Sequence, residues 1–212
     1  MKTNILIILI ILLLTVGTAV WARINQTSRD STQPNHPKEN LEDESPQPTP
    51  PIRGIPERVT KKTYGTYVTP ENSPVTPERF TGFHTGIDVE YGDVAGDVPI
   101  YAIAPGEVIV SRWAQGYGGV IVINHDIGNQ KILALYGHLK MNSIPRVGQR
   151  AATNDQVGIL GDAYSTDTDN ERKHLHFGII RGDQINLLGY VQNQEELSGW
   201  EDPIVWLKEN SP

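Results

Sequence analysis

The chain has no cysteine, which excludes disulfides, thiolate metal ligands and a cysteine nucleophile. Any metal site must therefore be built from histidine and carboxylates. There is no basic excess: 18 Lys and Arg stand against 25 Asp and Glu, for a net charge of −7. No basic stripe is available to neutralise phosphates, so a nucleic-acid partner is not expected. The charge balance likewise gives no attraction to anionic lipid headgroups. No H-E-x-x-H occurs, so no helix supplies a histidine pair with a glutamate base. The glycine-rich run Gly116-Tyr117-Gly118-Gly119 lies between two strand-like segments with no helix after it, so it reads as a hairpin turn and not a phosphate loop. Aromatic residues are missing from Ile24 to Thr60.

What is present divides the chain into three parts. Residues 1–22 carry an apolar run from Ile5 to Ala22 behind Lys2. As a helix it would be about 27 Å long, near the thickness of the hydrocarbon layer. It is expected to be a signal anchor or a signal peptide that holds the chain to the membrane or exports it, placing the rest outside the cytoplasm. Residues 23–60 are rich in proline, polar and acidic residues, and are expected to be a disordered tether. Residues 61–212 have the patterning of one folded domain. Short β-rich runs alternate with turn signals: Pro99–Ile103, Glu107–Trp113, Val120–His125, Lys131–Tyr136 and Gln156–Leu160. This predicts an all-β, mostly antiparallel fold. A short C-terminal helix is expected after Asp202, with Pro203 in its first turn and Ile204 to Leu207 on its apolar face.

Five of the six histidines lie in that domain. Lys173-His174-Leu175-His176-Phe177-Gly178-Ile179-Ile180 reads as a strand. Residues two apart on a strand share a face, so His174 and His176 stand side by side, about 7 Å apart at Cα, while Leu175 and Phe177 face a core. Such a pair suggests a metal site but does not by itself define one. Phe83-His84-Thr85-Gly86-Ile87-Asp88 offers two more donors. Fully extended, His84 and Asp88 would sit about 13 Å apart, too far to share one ion, so the chain must bend between them, with Gly86 permitting it. His84, Asp88 and one further histidine would leave a fourth position open, the pattern of catalytic zinc. His138 follows a strand, and His125 reads as a structural hydrogen-bonding residue.

The succession H-x-G-x-D, a hairpin, Y-x-H-L and H-x-H-F resembles the lysostaphin/LytM family of zinc endopeptidases, which cleave peptidoglycan peptides. The resemblance spans Phe83 to Ile180, within a motif core of 80–181, and includes Ala104-Pro105-Gly106-Glu107-Val108 and the glycine turn. It implies a mostly antiparallel β-sandwich with a groove above the metal. It also implies zinc bound by His84, Asp88 and His176, and His138 and His174 as the catalytic histidines that do not bind it. A peptidoglycan stem or cross-bridge peptide would be the substrate. Histidine titrates near neutrality and can move the protons that a glutamate moves elsewhere. The runner-up is a non-catalytic regulator or binding module of the same fold that activates other wall hydrolases. One departure from the family pattern stands out. The loop before the histidine pair, Gly161 to Lys173, is long and charged where the family has a short glycine- and serine-rich loop. With no apolar run, it is expected to form a groove wall that sets specificity and contributes little to stability.

Overall fold

The computed structural model describes residues 47–128 and 130–211, so the expectations for residues 1–22 and 23–46 lie outside the described residues. Among those described, no helix is long and apolar enough to cross a membrane. The strands run in chain order as β1 (Tyr67–Val68), β2 (Gly82–His84), β3 (Ile87–Glu90), β4 (Pro99–Tyr101), β5 (Gly106–Ala114) and β6 (Gly118–Ile127). They continue as β7 (Gln130–Leu139), β8 (Arg150–Ala151), β9 (Gln156–Ile159), β10 (His174–Arg181), β11 (Tyr190–Val191) and β12 (Trp200–Glu201). One α-helix, α1 (Pro203–Asn210), closes the described chain. Every ladder is antiparallel. The expected mostly antiparallel β fold with a short C-terminal helix is the fold found.

The main sheet runs β12-β10-β7-β6-β5-β8, and β3 joins it alongside β10. Small sheets β1-β2-β11 and β4-β9 accompany it. Both faces of the main sheet are buried. Ile121, Ile123, Tyr136, Leu175 and Phe177 pack in one apolar cluster with Ile100 and Val157 from the β4-β9 pair. Val120, Val122, Leu133, Leu135 and Ile180 pack in another with Val191 and, at its margin, Phe83. This explains why β6 reads as the unbroken run Val120-Ile121-Val122-Ile123: a strand covered on both faces has no solvent side to mark with polar residues. The helix is capped as the sequence predicts. Asp202 Oδ1 accepts hydrogen bonds from the amides of Ile204 and Val205, and Pro203 needs no donor in that first turn.

Residues 47–60 overturn part of the predicted tether. Ile52 is 2% exposed and belongs to the larger apolar cluster, with Ile55 and Val59 packed at its edge. The Pro51 carbonyl accepts from the Tyr101 amide, the Thr49 amide donates to Ile103, and Glu90 N–H donates to the Arg58 carbonyl. The proline-rich composition conceals this because three aliphatic side chains and a row of backbone bonds are enough to fix the segment onto a sheet already built. The folded unit therefore begins well before residue 61.

Candidate metal and catalytic site

The site begins with strand register. His176 on β10 lies opposite Asp88 of β3 on one side and Gly137 of β7 on the other, and His174 lies opposite Glu90. Directly opposed residues share a face. His174, His176, Asp88 and Glu90 therefore line one face, while Leu175, Phe177, Ile87 and Val89 fill the core on the other, all four fully buried. His84 ends β2, and the chain turns through Thr85-Gly86 into β3, as the donor spacing demands. The reason for glycine is different from that expected. A Cβ on Gly86 would lie 2.4 Å from the Phe177 carbonyl oxygen and 2.9 Å from His176 Nε2, so the position is set by close approach to β10.

These elements bring three donor atoms together. His84 Nε2 is 3.1 Å from His176 Nδ1 and 3.3 Å from Asp88 Oδ1, and His176 Nδ1 is 3.2 Å from Asp88 Oδ1. Ligands bonded at about 2.0–2.1 Å to one tetrahedral ion stand about 3.3 Å apart. The donor triangle thus has the edge lengths that a small ion such as zinc needs. Its tautomers fit as well. His84 Nδ1 faces the Thr63 carbonyl, an acceptor, so Nδ1 carries the proton and Nε2 presents a lone pair. One proton on His176 Nδ1, shared between His84 Nε2 and Asp88 Oδ1, satisfies the trio. A metal would replace that proton.

His138 and His174 complete the group. Their ring centroids are 4.2 Å apart. His174 Nδ1 donates to the Arg172 carbonyl at 2.8 Å, and His138 Nδ1 donates to the Thr168 carbonyl at 3.2 Å. Both rings thereby keep Nε2 as the unprotonated nitrogen. His138 reaches the site through a bulge. Gly119 pairs with Leu139 and Val120 with Gly137, leaving His138 as the extra residue, with φ of +65°. Tyr136 and Leu139 both enter the same core, so Gly137 and His138 between them both turn to the site. All five residues line one cleft of about 350 Å³ or the donor triangle at its base, and each is buried.

Burial dominates the electrostatics. It pushes His138 down to about 3, with Asp88 partly opposing and the neighbouring His176 and Arg172 reinforcing it. His174 and His176 are pushed below the usual histidine range by the same desolvation, again opposed by Asp88. Burial opposes ionisation of Asp88, yet the imidazoles of His174 and His84, the Arg172 guanidinium and the His176 hydrogen bond hold its carboxyl well below the carboxylate range. The site is thus a buried carboxylate among imidazoles, with burial disfavouring the charged form of His138, His174 and His176.

The sequence reading missed several residues here. Tyr117, which the sequence places only in a glycine-rich hairpin turn, lies between the site rings. Its centroid is 5.2 Å from His176 and 5.8 Å from His138, and its ring fills the notch at Gly137, where a Cβ would meet it at 2.5 Å. Lys62 and Glu78 form a buried ion pair at 2.6 Å beside the cleft, and Lys62 also donates to the Tyr190 hydroxyl. Phe80 stacks on Tyr190, whose ring is 5.1 Å from His84. None of these carries a local periodicity that would announce it.

The loop from Gly161 to Lys173 also differs from expectation. Thr168 is fully buried, and Glu171, Arg172 and Lys173 are nearly so. Asp167 accepts from the Met141 amide, Asp169 from the Gly116 amide, and Glu171 from Arg79 at 2.8 Å. Lys173 Nζ donates to the carbonyls of Val94 and Gly96. Glu171 and Arg172 line the cleft as the expected wall, but most of the loop's charges are bonded within the domain, so the loop is a built part of the fold and not only a solvated wall.

A family profile described as Peptidase family M23 matches residues 82–187. An uncharacterized protein of Haemophilus influenzae is 29% identical over 119 residues, 51% of this chain and 27% of that protein. Murein hydrolase activator EnvC of Escherichia coli is 32% identical over 85 residues, 40% of this chain and 18% of EnvC. The chain therefore spans about a quarter or less of the length of these relatives. Among solved structures, LytU has 27% identity and a TM-score of 0.48, covering 72% of this chain and 85% of LytU. Lysostaphin from Staphylococcus simulans has 21% identity and a TM-score of 0.46, covering 71% of this chain and 50% of lysostaphin.

Proposed function

Because this chain belongs to peptidase family M23, we propose that it is a zinc metalloendopeptidase that hydrolyses peptide bonds in peptidoglycan. The observation that carries the reading is the donor triangle. His84 Nε2, Asp88 Oδ1 and His176 Nδ1 lie 3.1–3.3 Å from one another, buried, around the single shared proton that a metal would replace. Zinc held there would polarise the scissile carbonyl and lower the pKa of a water beside it. His138 and His174 do the proton work. Each has Nδ1 tied to a backbone carbonyl, with Nε2 left to the site; His174 Nε2 stands 3.5 Å from Asp88 Oδ2, and burial favours the neutral ring in both. One would accept the water proton at Nε2 and, as the imidazolium so formed, deliver it to the leaving amine; the other holds its Nε2 at the same cleft.

A regulatory role in place of catalysis draws support from the likeness to EnvC, a murein hydrolase activator. The complete donor set and the paired free histidines favour the enzyme, since an activator needs neither. We also propose that the domain works outside the cytoplasm, held to the membrane or exported by residues 1–22, whose apolar run follows Lys2.

The test is digestion of purified peptidoglycan by the full chain, with new termini identified by mass spectrometry. His176→Ala should lose bound zinc and activity together. His138→Ala and His174→Ala should keep zinc and lose about 10²–10⁴-fold in rate. Intact peptidoglycan after incubation with zinc-loaded parent protein would rule out the enzyme reading in favour of the regulator.

A further inference from the structure

Arg172 stands two residues before His174 and shares its alternation, at the entry to β10. Its side chain crosses to β3 and engages two carboxylates that share a face there. Nη2 donates to Asp88 Oδ2 at 2.6 Å and to Glu90 Oε1 at 2.7 Å. Nε donates to Glu90 Oε1 and Oε2, each at 3.0 Å. The guanidinium is buried, and its planar fork fits Glu90 in a way that a lysine ammonium could not copy. The two oxygens of Asp88 have different partners. Oδ1 faces His84 and His176, and Oδ2 accepts from Arg172 at 2.6 Å, with His174 Nε2 farther off at 3.5 Å. The backbone carbonyl of the same Arg172 accepts the Nδ1 proton of His174.

We infer that Arg172, itself oriented by Glu90, is a positioning residue that restricts Asp88 to one-oxygen coordination of the metal. The inference rests on the zinc-site reading above. An occupied Oδ2 cannot swing in to make Asp88 a two-oxygen ligand, so the fourth tetrahedral position is kept for water and the substrate carbonyl. Glu90 balances the guanidinium charge, so this orientation is achieved without leaving a net cation beside the ion. Through its carbonyl, Arg172 also fixes which nitrogen His174 presents to the cleft. One residue thereby joins a metal ligand to a proton-transfer group.

Three variants of the full chain in detergent separate this from its competitors: Arg172→Met, which keeps the backbone carbonyl and most of the side-chain volume, Arg172→Lys and Glu90→Gln. Zinc affinity is read by competition with a chromophoric chelator, and coordination number by the visible absorption of the cobalt(II)-substituted protein. A positioning role predicts weaker zinc binding in Arg172→Met and in Glu90→Gln by about 10–100-fold. It also predicts fainter cobalt absorption, as Asp88 closes onto the ion with both oxygens and coordination rises above four, with Arg172→Lys intermediate. Tighter zinc binding in Arg172→Met alone would mean that Arg172 acts only as a repelling charge, and would overturn the inference. Unchanged affinity and unchanged cobalt absorption in all three would reduce Arg172 to structural filler and overturn it equally. If Arg172→Met fails to fold, Glu90→Gln and Arg172→Lys still decide, because both keep a cation beside Asp88. A parent chain that binds neither metal would defeat the zinc-site reading, and this inference with it. A parent that binds zinc while its variants match it defeats the inference alone.

Discussion

The neutral, buried state of His138 has a cost that appears on acidification. Burial holds it near 3 in the folded chain, against 6.5 for an ordinary histidine. A folded value below the unfolded one means that the unfolded chain binds the proton more readily. Stability is therefore unaffected above about 6.5 and falls as the pH drops from 6.5 towards 3, by about 1.4 kcal/mol for each unit. At pH 5 His138 alone should remove about 2 kcal/mol, a sizeable part of the 5–15 kcal/mol typical of a whole domain. His174, His176 and His125 are shifted the same way, so the parent loses more than this. The contribution of one residue is isolated with His138→Asn. Asparagine tolerates the positive φ and keeps an amide nitrogen near the position of Nδ1. Urea unfolding of parent and variant, both with chelator present, should be compared at pH 7 and pH 5. The stability difference between the two proteins should shift by about 2 kcal/mol in favour of the variant on acidification. An unchanged difference would mean that His138 is not held neutral by burial, and the electrostatic account of the site would fail.

Other perturbations follow from packing. Ile52→Ala should cost about 2–5 kcal/mol by calorimetry, and a chain starting at residue 61 should show no cooperative unfolding transition, because Ile52 belongs to the core and Ile55 and Val59 pack against it. Gly86→Ala would set a methyl 2.4 Å from the Phe177 carbonyl, so it should lower the thermal midpoint and weaken zinc binding in an equilibrium titration. Replacing residues 161–173 with a short Ser-Gly-Thr linker should lower the midpoint markedly. The replacement removes buried Thr168 and the Lys173 bonds to Val94 and Gly96, whereas a purely specificity-setting loop would leave the midpoint unchanged.

The parts of this molecule legible in the sequence are those written in short-range pattern. His-x-His with Leu175 and Phe177 between announces a strand with a polar face over a core, and Asp202-Pro203 announces a helix start. The parts that were not legible depend on what lies across the sheet. His138 is expected at the site from the family resemblance, but how it gets there is not legible: Val120 pairs with Gly137 and skips it, a register shift with no signature in Gly137-His138-Leu139 itself. Arg172 sits in a charged stretch that composition assigns to solvent. Only the partners on β3, more than eighty positions away, make it a buried group. Proline and polar residues in 47–60 suggest freedom, yet backbone bonds to Ile103 and Tyr101 do not depend on side-chain character.

The place of β10 in the sheet has a consequence for when the protein can acquire its ion. It is late in the chain but interior in the sheet, between β7 on one edge and β3 and β12 on the other. Before β10 arrives, β3 has no ladder partner among the described residues, and Asp88 has only His84 of the donor set beside it. The donors His84 and His176 are separated by 92 positions. Closing so long a loop is slow and contributes nothing until the final contacts form. A metal at this site would therefore be gained only as β10 joins the sheet, and the rate of its uptake would report the completion of folding itself.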